Sequence, residues 1–253
     1  MAAALAAWRA RTLTITGALA GWSIGVPVLY GTGWQGGAVL AAFFVLSNLV
    51  SRIAGFGPAG SLDPKSDMRD HWQVYANGAA AAIGGVIGLS DPVLGVWLIT
   101  STLAAATADT WATAVGGRSR VSPRLVWSGQ VVPPGTSGGT TPAGTVGAAA
   151  GALIIAAIGA AQTGLLVLLP VGTLIGFFGM ATDSMLGAWV QGRFHCPSCK
   201  TASEWRVHRC GTLTTRESGM AWLNNDGVNF LSTSLAAVAA LVAWYWLSPL
   251  PSA

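Results

Sequence analysis

The chain has 253 residues, but only 13 are Lys or Arg and 9 are Asp or Glu, so 9% carry a formal charge. Apolar types make up 52%, and the mean hydropathy is +0.57. Because about a quarter of the residues of a typical soluble domain are charged, this composition argues against an ordinary soluble enzyme, a disordered chain and a small disulfide-rich domain. It predicts an all-α, polytopic membrane protein with one transmembrane domain over residues 1–253.

The apolar residues are grouped into segments long enough to cross a bilayer, which requires roughly 20 residues. Seven segments qualify: 12–30, 34–50, 71–90, 93–117, 142–161, 164–190 and 226–247. The first segment also has features of a signal peptide, since Arg9 and Arg11 precede it. It has no clear cleavage site and a second span follows at once, so we interpret it as a retained helix.

The basic residues are distributed unevenly between the two sides that seven spans define. With the N-terminus inside, all 13 Lys and Arg fall on the cytoplasmic side, together with the long loops 51–70, 118–141 and 191–225. Cytoplasmic loops are enriched in Lys and Arg, so we expect a cytoplasmic N-terminus and an external C-terminus. Loops of this length in a compact protein are usually functional.

Three acids lie in or at the end of the predicted spans: Asp109, Asp183 and Asp226. An Asp at the centre of a membrane helix costs about 2.5–3.5 kcal/mol, but these three lie near the cytoplasmic ends, where they could meet in one polar pocket. Asp226 has an alternative role as an N-terminal cap. Asp109 and Asp183 lie toward helix C-termini, where the helix dipole disfavours an anion, so we expect a cationic partner for both.

Amides and hydroxyls accompany these acids at the same predicted interface. Three polar pairs spaced four residues apart share a helix face: Gln73 and Asn77, Asp109 and Thr113, and Asn225 and Asn229. Oxygen atoms from carboxylates, amides and hydroxyls are ligands for Mg²⁺, which commonly binds one or two carboxylates together with substrate phosphates. We therefore predict Mg²⁺ at the three acids. Interhelical hydrogen bonding without a metal is the alternative.

A glycine-rich connection, residues 132–145, leads directly into the fifth predicted span. Its centre is the run Gly135, Thr136, Ser137, Gly138 and Gly139. Glycine allows close backbone approach, and the following helix N-terminus offers free N–H groups to an anion. The run lacks the Gly-Lys-Ser/Thr ending of a Walker loop. A phosphate-binding loop is favoured by the nearby acids and basic residues, and a flexible linker is the alternative.

The three cysteines and one histidine occur close together in the loop 191–225, as Cys196, Cys199, His208 and Cys210. Three sulfurs and one imidazole are enough for a closed tetrahedral zinc site. His195 offers a competing nitrogen, and reduced thiols without metal are the alternative. We predict a structural zinc ion with no open position for catalysis.

These polar motifs resemble those of an integral-membrane family that contains the plastid phytyl-phosphate kinase and transmembrane protein nineteen. The matching parts are Lys65…Arg69…Gln73-Val-Tyr-Ala-Asn-Gly78, Ala106-Thr-Ala-Asp-Thr-Trp111, Gly135-Thr-Ser-Gly-Gly139, Asp183-Ser-Met-Leu-Gly187 and Asn225-Asp-Gly-Val-Asn229. The stretch from Asp109 to Gly116 is also similar to a motif of dolichol and phytol kinases, which are in turn similar to CTP-dependent phosphatidate cytidylyltransferases.

The resemblance implies CTP-dependent phosphorylation of a prenyl monophosphate to the diphosphate, with CTP or ATP as donor. On this hypothesis Asp109 and Asp183 are the catalytic Mg²⁺ ligands, Asp226 is a third ligand, and Lys65 and Arg69 bind phosphates. The remaining residues predicted to bind nucleotide or phosphate are Gln73, Asn77, Thr113, Gly135, Thr136, Ser137, Gly138, Gly139, Asn225 and Asn229. The expected partners are the bilayer, a prenyl-phosphate lipid and a nucleotide, with no nucleic acid; a homo-oligomer is left open.

Three other functions fit the same residues. A lipid-phosphate transporter or flippase would also carry intramembrane acids and glycine-rich helices, but its site would lie near the bilayer midplane. A cytidylyltransferase would bind the same nucleotide and release pyrophosphate. A prenyl-alcohol kinase would need one of the acids as a general base, because an alcohol acceptor must lose a proton.

Overall fold

A computed structural model describes residues 2–54 and 68–247 of the chain. Within these ranges the protein is mostly helical. The helices are α1 (Ala2–Arg9), α2 (Ile15–Ala54), α3 (His71–Ile87), α4 (Pro92–Gly116), α5 (Pro142–Thr163), α6 (Leu168–Trp189) and α7 (Asn225–Leu247). By length and composition, five of the described helices can cross a membrane: α2, α4, α5, α6 and α7. Helix α3, with 17 residues, is at the short limit for a span.

Helix α2 contains two spans rather than one. Its 40 residues would extend about 60 Å as a continuous helix, twice the roughly 30 Å of a hydrocarbon core. The helix is broken at Gly33, where φ is +61° and ψ is −150°. Glycine adopts this conformation without the steric cost of a Cβ atom. The break lies between the predicted spans 12–30 and 34–50.

Close contacts show the directions of the two halves of α2 relative to α3 and α4. The first half of α2 runs parallel to α3, since Gly17 lies against Arg69 and Gly31 against Gly85. The second half returns beside α4, whose Arg118 Nη1, just beyond its C-terminus, donates to the carbonyl of Ala54 at 2.7 Å. The two halves are therefore antiparallel, as the prediction of two spans requires.

Helix α4 is the centre of the bundle. Every residue from Gly95 to Ala108 is buried, and the helix packs against α2, α3, α5, α6 and α7. Small residues allow this packing, as in other membrane helix bundles. A Cβ atom on Gly176 of α6, for example, would lie 2.9 Å from Cβ of Ala104.

The alternating helix directions bring the long connections to one end of the bundle. We call it the polar end; it contains both termini of α2, the starts of α3, α5 and α7, and the ends of α4 and α6. Thr14 N donates to Arg69 O at 3.1 Å, and Gly192 N donates to Leu223 O at 2.9 Å, joining neighbouring helix termini there. Within the described residues, the opposite end holds the short connections around Gly33, residues 88–91 and residues 164–167, together with the end of α7.

The predicted all-α membrane fold is confirmed, and short strands are added at the polar end. β1 (Arg124–Leu125) pairs with β2 (Gly139–Thr140). In the loop between α6 and α7, β3 (Arg193–Cys196) forms the centre of a three-stranded antiparallel sheet between β4 (Thr201–Ser203) and β5 (Thr215–Ser218). We call residues 191–224 the sheet module.

Candidate functional site

The first part of the site is a pair of carboxylates on two central helices. Asp109 of α4 and Asp183 of α6 are half-buried and close enough to repel each other electrostatically. Ser232 Oγ of α7 donates to Asp183 Oδ2 at 3.2 Å. In the described part of the chain, neither acid has a Lys or Arg side chain within ion-pair distance. The expected cationic partner is therefore not supplied by a described side chain.

Helix α7 extends the polar surface toward the end of the bundle. Asp226 and Asn229 are both buried, and the Asn229 carbonyl accepts from Ser232 Oγ at 3.0 Å. Asp226 is six residues from Ser232, which corresponds to about 9 Å along the helix. Asp226 thus lies at the mouth of the site, away from the Asp109–Asp183 pair. Thr233 Oγ1 donates to Ala76 O at 3.0 Å and joins α7 to α3 beside Asn77.

The glycine-rich run is packed against α6, one turn beyond Asp183. Gly138 has φ +79°, and a Cβ atom there would lie 2.5 Å from Cβ of Ala188 and 2.6 Å from the carbonyl oxygen of Ser184. Only glycine satisfies both the backbone conformation and the space at this position. The predicted phosphate-binding run and the second acidic motif are thus neighbours in the fold.

Glu204, which the sequence motifs did not indicate, connects this run to the sheet module. Its Oε1 accepts from Ser137 Oγ at 2.7 Å and from Gln191 Nε2 at 3.0 Å. Its charge also acts on Asp183. The sequence offers one indication that Glu204 is functional: acidic residues are rare in this chain, which has only nine.

Arg193, at the start of β3, makes a second connection. Its Nη2 lies within hydrogen-bond distance of three carbonyl oxygens, those of Ser137 at 2.9 Å, Ala188 at 3.1 Å and Gly187 at 3.3 Å. The cation therefore lies at the C-terminus of α6, where it complements the helix dipole. In the sequence it could be counted only as one of the basic residues that set orientation.

A cavity of about 340 Å³ opens within the sheet module, next to the start of α7. Its lining includes Glu204, Trp205, Arg206, Trp222 and Asn224. This volume is at the lower end of the range of roughly 300–1,000 Å³ for small-molecule sites. Aromatic, cationic and amide groups therefore face one open space beside Asn225 and Asp226.

The other predicted residues lie in different settings. Gln73 forms a capping box with Asp70: its backbone N–H donates to Asp70 Oδ1 at 3.0 Å, and its Oε1 accepts from Asp70 N at 3.2 Å. Asn77 Nδ2 donates to the Gln73 carbonyl at 2.9 Å. Thr113 and Asn225 are exposed.

The two predicted basic phosphate ligands precede α3. Burial lowers the pKa of the Arg69 guanidinium below its ordinary value. Its backbone carbonyl accepts from Thr14 N, so the main chain here is held against the start of α2. Lys65 lies outside the described residues.

The four predicted zinc ligands do come together. The ligand atoms of Cys196, Cys199, His208 and Cys210 all lie within 4.8 Å of one another, so the cluster could hold a metal ion. His195 is separate from it, and its Nδ1 lies 3.6 Å from Glu217 Oε1. Among the described residues, no second group of three or more such side chains approaches this closely, so the three acids do not form one.

The environment of the cluster shifts the pKa values of two of its thiols in opposite directions. Hydrogen bonds with Thr212 and His208 lower the pKa of Cys210 to about 5, whereas a hydrogen bond with Cys210 raises the pKa of Cys199 to about 11. The His208 Nδ1 to Cys210 Sγ distance is 3.1 Å. The Cys210 thiolate is therefore favoured at neutral pH, and the thiolate is the form that binds metals.

These features define a multi-pass helical membrane protein with a polar, loop-covered site at one end. The chain belongs to the integral membrane protein family DUF92, which it matches over residues 1–237. This confirms the family indicated by the motifs.

Several curated relatives are similar along most of their length. Protein PGR of Arabidopsis thaliana is 27% identical over 95% of this chain and 92% of its own. An uncharacterised membrane protein of Methanocaldococcus jannaschii is 32% identical over 71% of this chain and 75% of its own length. An uncharacterised membrane protein of Synechocystis is 26% identical over 87% of this chain and 78% of its own length. No solved structure gives a significant match.

Proposed function

We propose that this protein is a Mg²⁺-dependent membrane kinase that transfers the γ-phosphoryl group of CTP or ATP to a prenyl monophosphate, giving the prenyl diphosphate and a nucleoside diphosphate. The observation that carries the proposal is that Asp109 and Asp183 interact electrostatically at the polar end of the bundle, where the run Gly135–Gly139, which we call the glycine loop, packs against α6. A lipid phosphate would present its headgroup at this depth while its chain stays in the bilayer.

The donor set suits Mg²⁺. Two nearby carboxylates with no described cation beside them repel each other, and a divalent cation would relieve that repulsion. Mg²⁺ commonly uses one or two protein carboxylates and completes its coordination with phosphates and water. When bound, it would neutralise charge on the transferring group, while Ser232 holds the Asp183 carboxylate in place.

Phosphoryl transfer requires mainly positioning and charge neutralisation. In our proposal the run Gly135–Gly139 contacts the nucleotide phosphates, and Trp205 and Trp222 in the neighbouring cavity contact the base. Arg69, Lys65, Asn77 and Asn229 are further phosphate ligands in this proposal. An acceptor that is already a phosphate is anionic, so the reaction needs no general base.

The position of the acids favours transfer over transport. Asp109 is 7 residues from the end of α4 and 17 from its start, or about 10 Å and 25 Å. Asp183 is 6 residues from the end of α6, about 9 Å. A transport site is expected near the midplane, where a substrate can be reached from both sides.

The proposal includes the membrane orientation and a second metal. The polar end faces the cytoplasm, because the basic residues were predicted on this side, and CTP and ATP are available there. Zn²⁺ occupies the Cys/His cluster as a structural ion, since four protein ligands leave no position for a substrate.

The test is a transfer assay with purified protein, Mg²⁺, labelled CTP or ATP, and a panel of prenyl alcohols and monophosphates. We expect a labelled prenyl diphosphate. Release of pyrophosphate with a CMP–lipid product would indicate the cytidylyltransferase instead. Lipid binding without nucleotide binding or product would indicate a transporter.

Two variants and a matched control test the carboxylate pair. Asp109→Asn and Asp183→Asn should each reduce turnover about 100-fold or more, because each removes a carboxylate that would hold the Mg²⁺ ion needed to stabilise the transferring phosphoryl group. Asp91 lies at the opposite end of α4, where its Oδ1 accepts from Val93 N and Leu94 N. Because Asn is also a good N-cap, Asp91→Asn should keep normal activity. Normal turnover in both site variants would refute the metal assignment.

A further inference from the structure

The four side chains of the Cys/His cluster come from two tight turns that face each other. Cys196 ends β3 and Cys199 lies in the β3–β4 turn, where Lys200 N donates to Cys196 O at 2.8 Å and Cys199 N donates to Cys196 Sγ at 3.5 Å. His208 and Cys210 lie in the second turn, which is closed by His208 N donating to Thr212 O at 2.9 Å. An ion bound here would fasten the two turns together.

Two of the distances within the cluster are close to those around a tetrahedral ion. With Zn–S bonds of about 2.3 Å and a tetrahedral angle, two sulfurs lie about 3.8 Å apart, and a sulfur and an imidazole nitrogen about 3.5 Å apart. Cys196 Sγ lies 3.6 Å from Cys210 Sγ, and His208 Nδ1 lies 3.1 Å from Cys210 Sγ. Cys196 and His208 are buried and Cys199 and Cys210 are exposed, so the site lies at the surface of the module.

The cluster is connected to the glycine loop through the strands of the sheet module. Cys196 pairs with Thr201, and β4 continues from there to Ser203, directly before Glu204. Glu204 Oε1 then accepts from Ser137 Oγ of the glycine loop. Arg193, the first residue of the neighbouring strand β3, donates to the backbone carbonyl of the same Ser137. The β3–β4 pair therefore holds metal ligands at one end and both contacts to Ser137 at the other.

We propose that Zn²⁺ at Cys196, Cys199, His208 and Cys210 orders the sheet module, and that the ordered module holds the glycine loop over the polar end through Glu204. Glu204 is a positioning residue: it contacts the loop and not the reacting groups. Metal binding and loop order do not depend on the kinase activity; only their consequence for nucleotide binding rests on the proposed function.

The first experiment measures zinc in the full-length protein, purified in detergent without chelators. Elemental analysis should give about one zinc per chain, as four protein ligands imply. Cys199→Ser should lose the metal, because it removes an exposed ligand and leaves the buried Cys196 in place. His195→Ala is the matched control, since His195 lies on the same sheet but outside the cluster, and it should keep the zinc. Less than a tenth of an equivalent in the wild-type protein, also after incubation with Zn²⁺, would overturn the proposal.

The second experiment measures amide hydrogen exchange of residues 132–140 by mass spectrometry. Removing zinc with a chelator should make these amides exchange roughly tenfold faster, and returning Zn²⁺ should restore protection, because metal loss releases the contacts to Ser137. The chelator acts on wild-type protein, so the result does not depend on whether a variant folds. Unchanged exchange after complete zinc removal would overturn the link between module and loop.

Variants of Glu204 separate the loop contact from the metal. Glu204→Ala should raise loop exchange roughly tenfold while zinc content stays normal, because it removes the acceptor for Ser137 and Gln191 and leaves the four metal ligands unchanged. Glu204→Gln keeps an acceptor oxygen and should restore protection. If Glu204→Gln behaves like Glu204→Ala, or if Glu204→Ala leaves the loop protected, the positioning role is wrong. If zinc and exchange behave as expected but no acceptor is phosphorylated, the proposed kinase fails while this inference stands.

Discussion

Gly138→Ala is the sharpest single test of the glycine loop, because two costs add at this residue. Alanine in the left-handed conformation that Gly138 adopts, at φ +79°, costs about 1–2 kcal/mol. Its Cβ would also lie 2.5 Å from Cβ of Ala188, and overpacking of this kind costs about 1–3 kcal/mol. The total is about 2–5 kcal/mol.

This cost is comparable to what holds the loop in place. Ser137 is bonded to Glu204 at 2.7 Å and to Arg193 at 2.9 Å, and a hydrogen bond to a charged group contributes about 1.5–3 kcal/mol. We therefore expect Gly138→Ala to release the loop from α6 without unfolding the bundle, whose helices pack independently of it. Hydrogen exchange in residues 132–140 should rise, and the transfer assay should show a higher KM for nucleotide.

Gly129 provides the matched control in the same connection. It also has a left-handed backbone, with φ +67°, but a Cβ atom there would meet nothing within 4 Å. Gly129→Ala should thus carry only the backbone cost of about 1–2 kcal/mol. Equal loop exchange and equal KM in Gly129→Ala and Gly138→Ala would refute the argument that contact with α6 holds the loop.

Two further substitutions test contacts of α7. Ser232→Ala removes the hydroxyl 3.2 Å from Asp183 Oδ2 and should reduce Mg²⁺-dependent turnover roughly tenfold, whereas Ser234→Ala, on the same helix and away from this contact, should leave it unchanged. Thr233→Val removes the 3.0 Å bond to Ala76 O and should cost about 1 kcal/mol, seen as a melting temperature about 2–4 °C lower in detergent; an unchanged melting temperature would show that this bond does not stabilise the α3–α7 contact.

The membrane fold could be predicted because its main signals are local. Each span is an apolar run of the right length, and several begin at recognisable caps, such as Asp91 before α4 and Thr141 before α5. The break at Gly33 lies in the short glycine-containing segment between two apolar runs, where a turn is expected. The predicted helix boundaries agree with the structure to within four residues, although the short helix α1 was not predicted.

The sheet module could not be predicted in the same way. Its strands have three or four residues, too few for an alternating pattern to be recognised, and β5 is exposed throughout. What the sequence does show is the spacing of the metal-ligand residues. Those residues do come together, but the strands between them are determined by pairing over distances of up to about 25 residues along the chain.

The candidate site was predicted in part, for a related reason. The motifs identified Asp109 and Asp183, because an acid in an apolar run is unusual in isolation. Glu204 and Arg193 stand in a polar loop, where charged residues are ordinary, so only the fold shows that both contact Ser137. The hydrogen bond between Ser232 and Asp183 could not be predicted from the sequence. The sequence shows only that Asn225, Asn229 and Ser232 share one polar face of α7.

The placement of Arg193 bears on the charge around Asp183, because this nearby cation is used elsewhere. Its guanidinium is directed at carbonyl oxygens, including those of Gly187 and Ala188, and so complements the C-terminus of α6 instead of pairing with Asp183. Glu204 adds negative charge near the same carboxylate. Within the described residues, neither Asp109 nor Asp183 has a Lys or Arg side chain within ion-pair distance, so this part of the polar end concentrates negative charge. A site built to bind anionic phosphates directly at these acids would be repulsive, whereas a divalent cation between carboxylates and phosphates makes both sets of charges favourable.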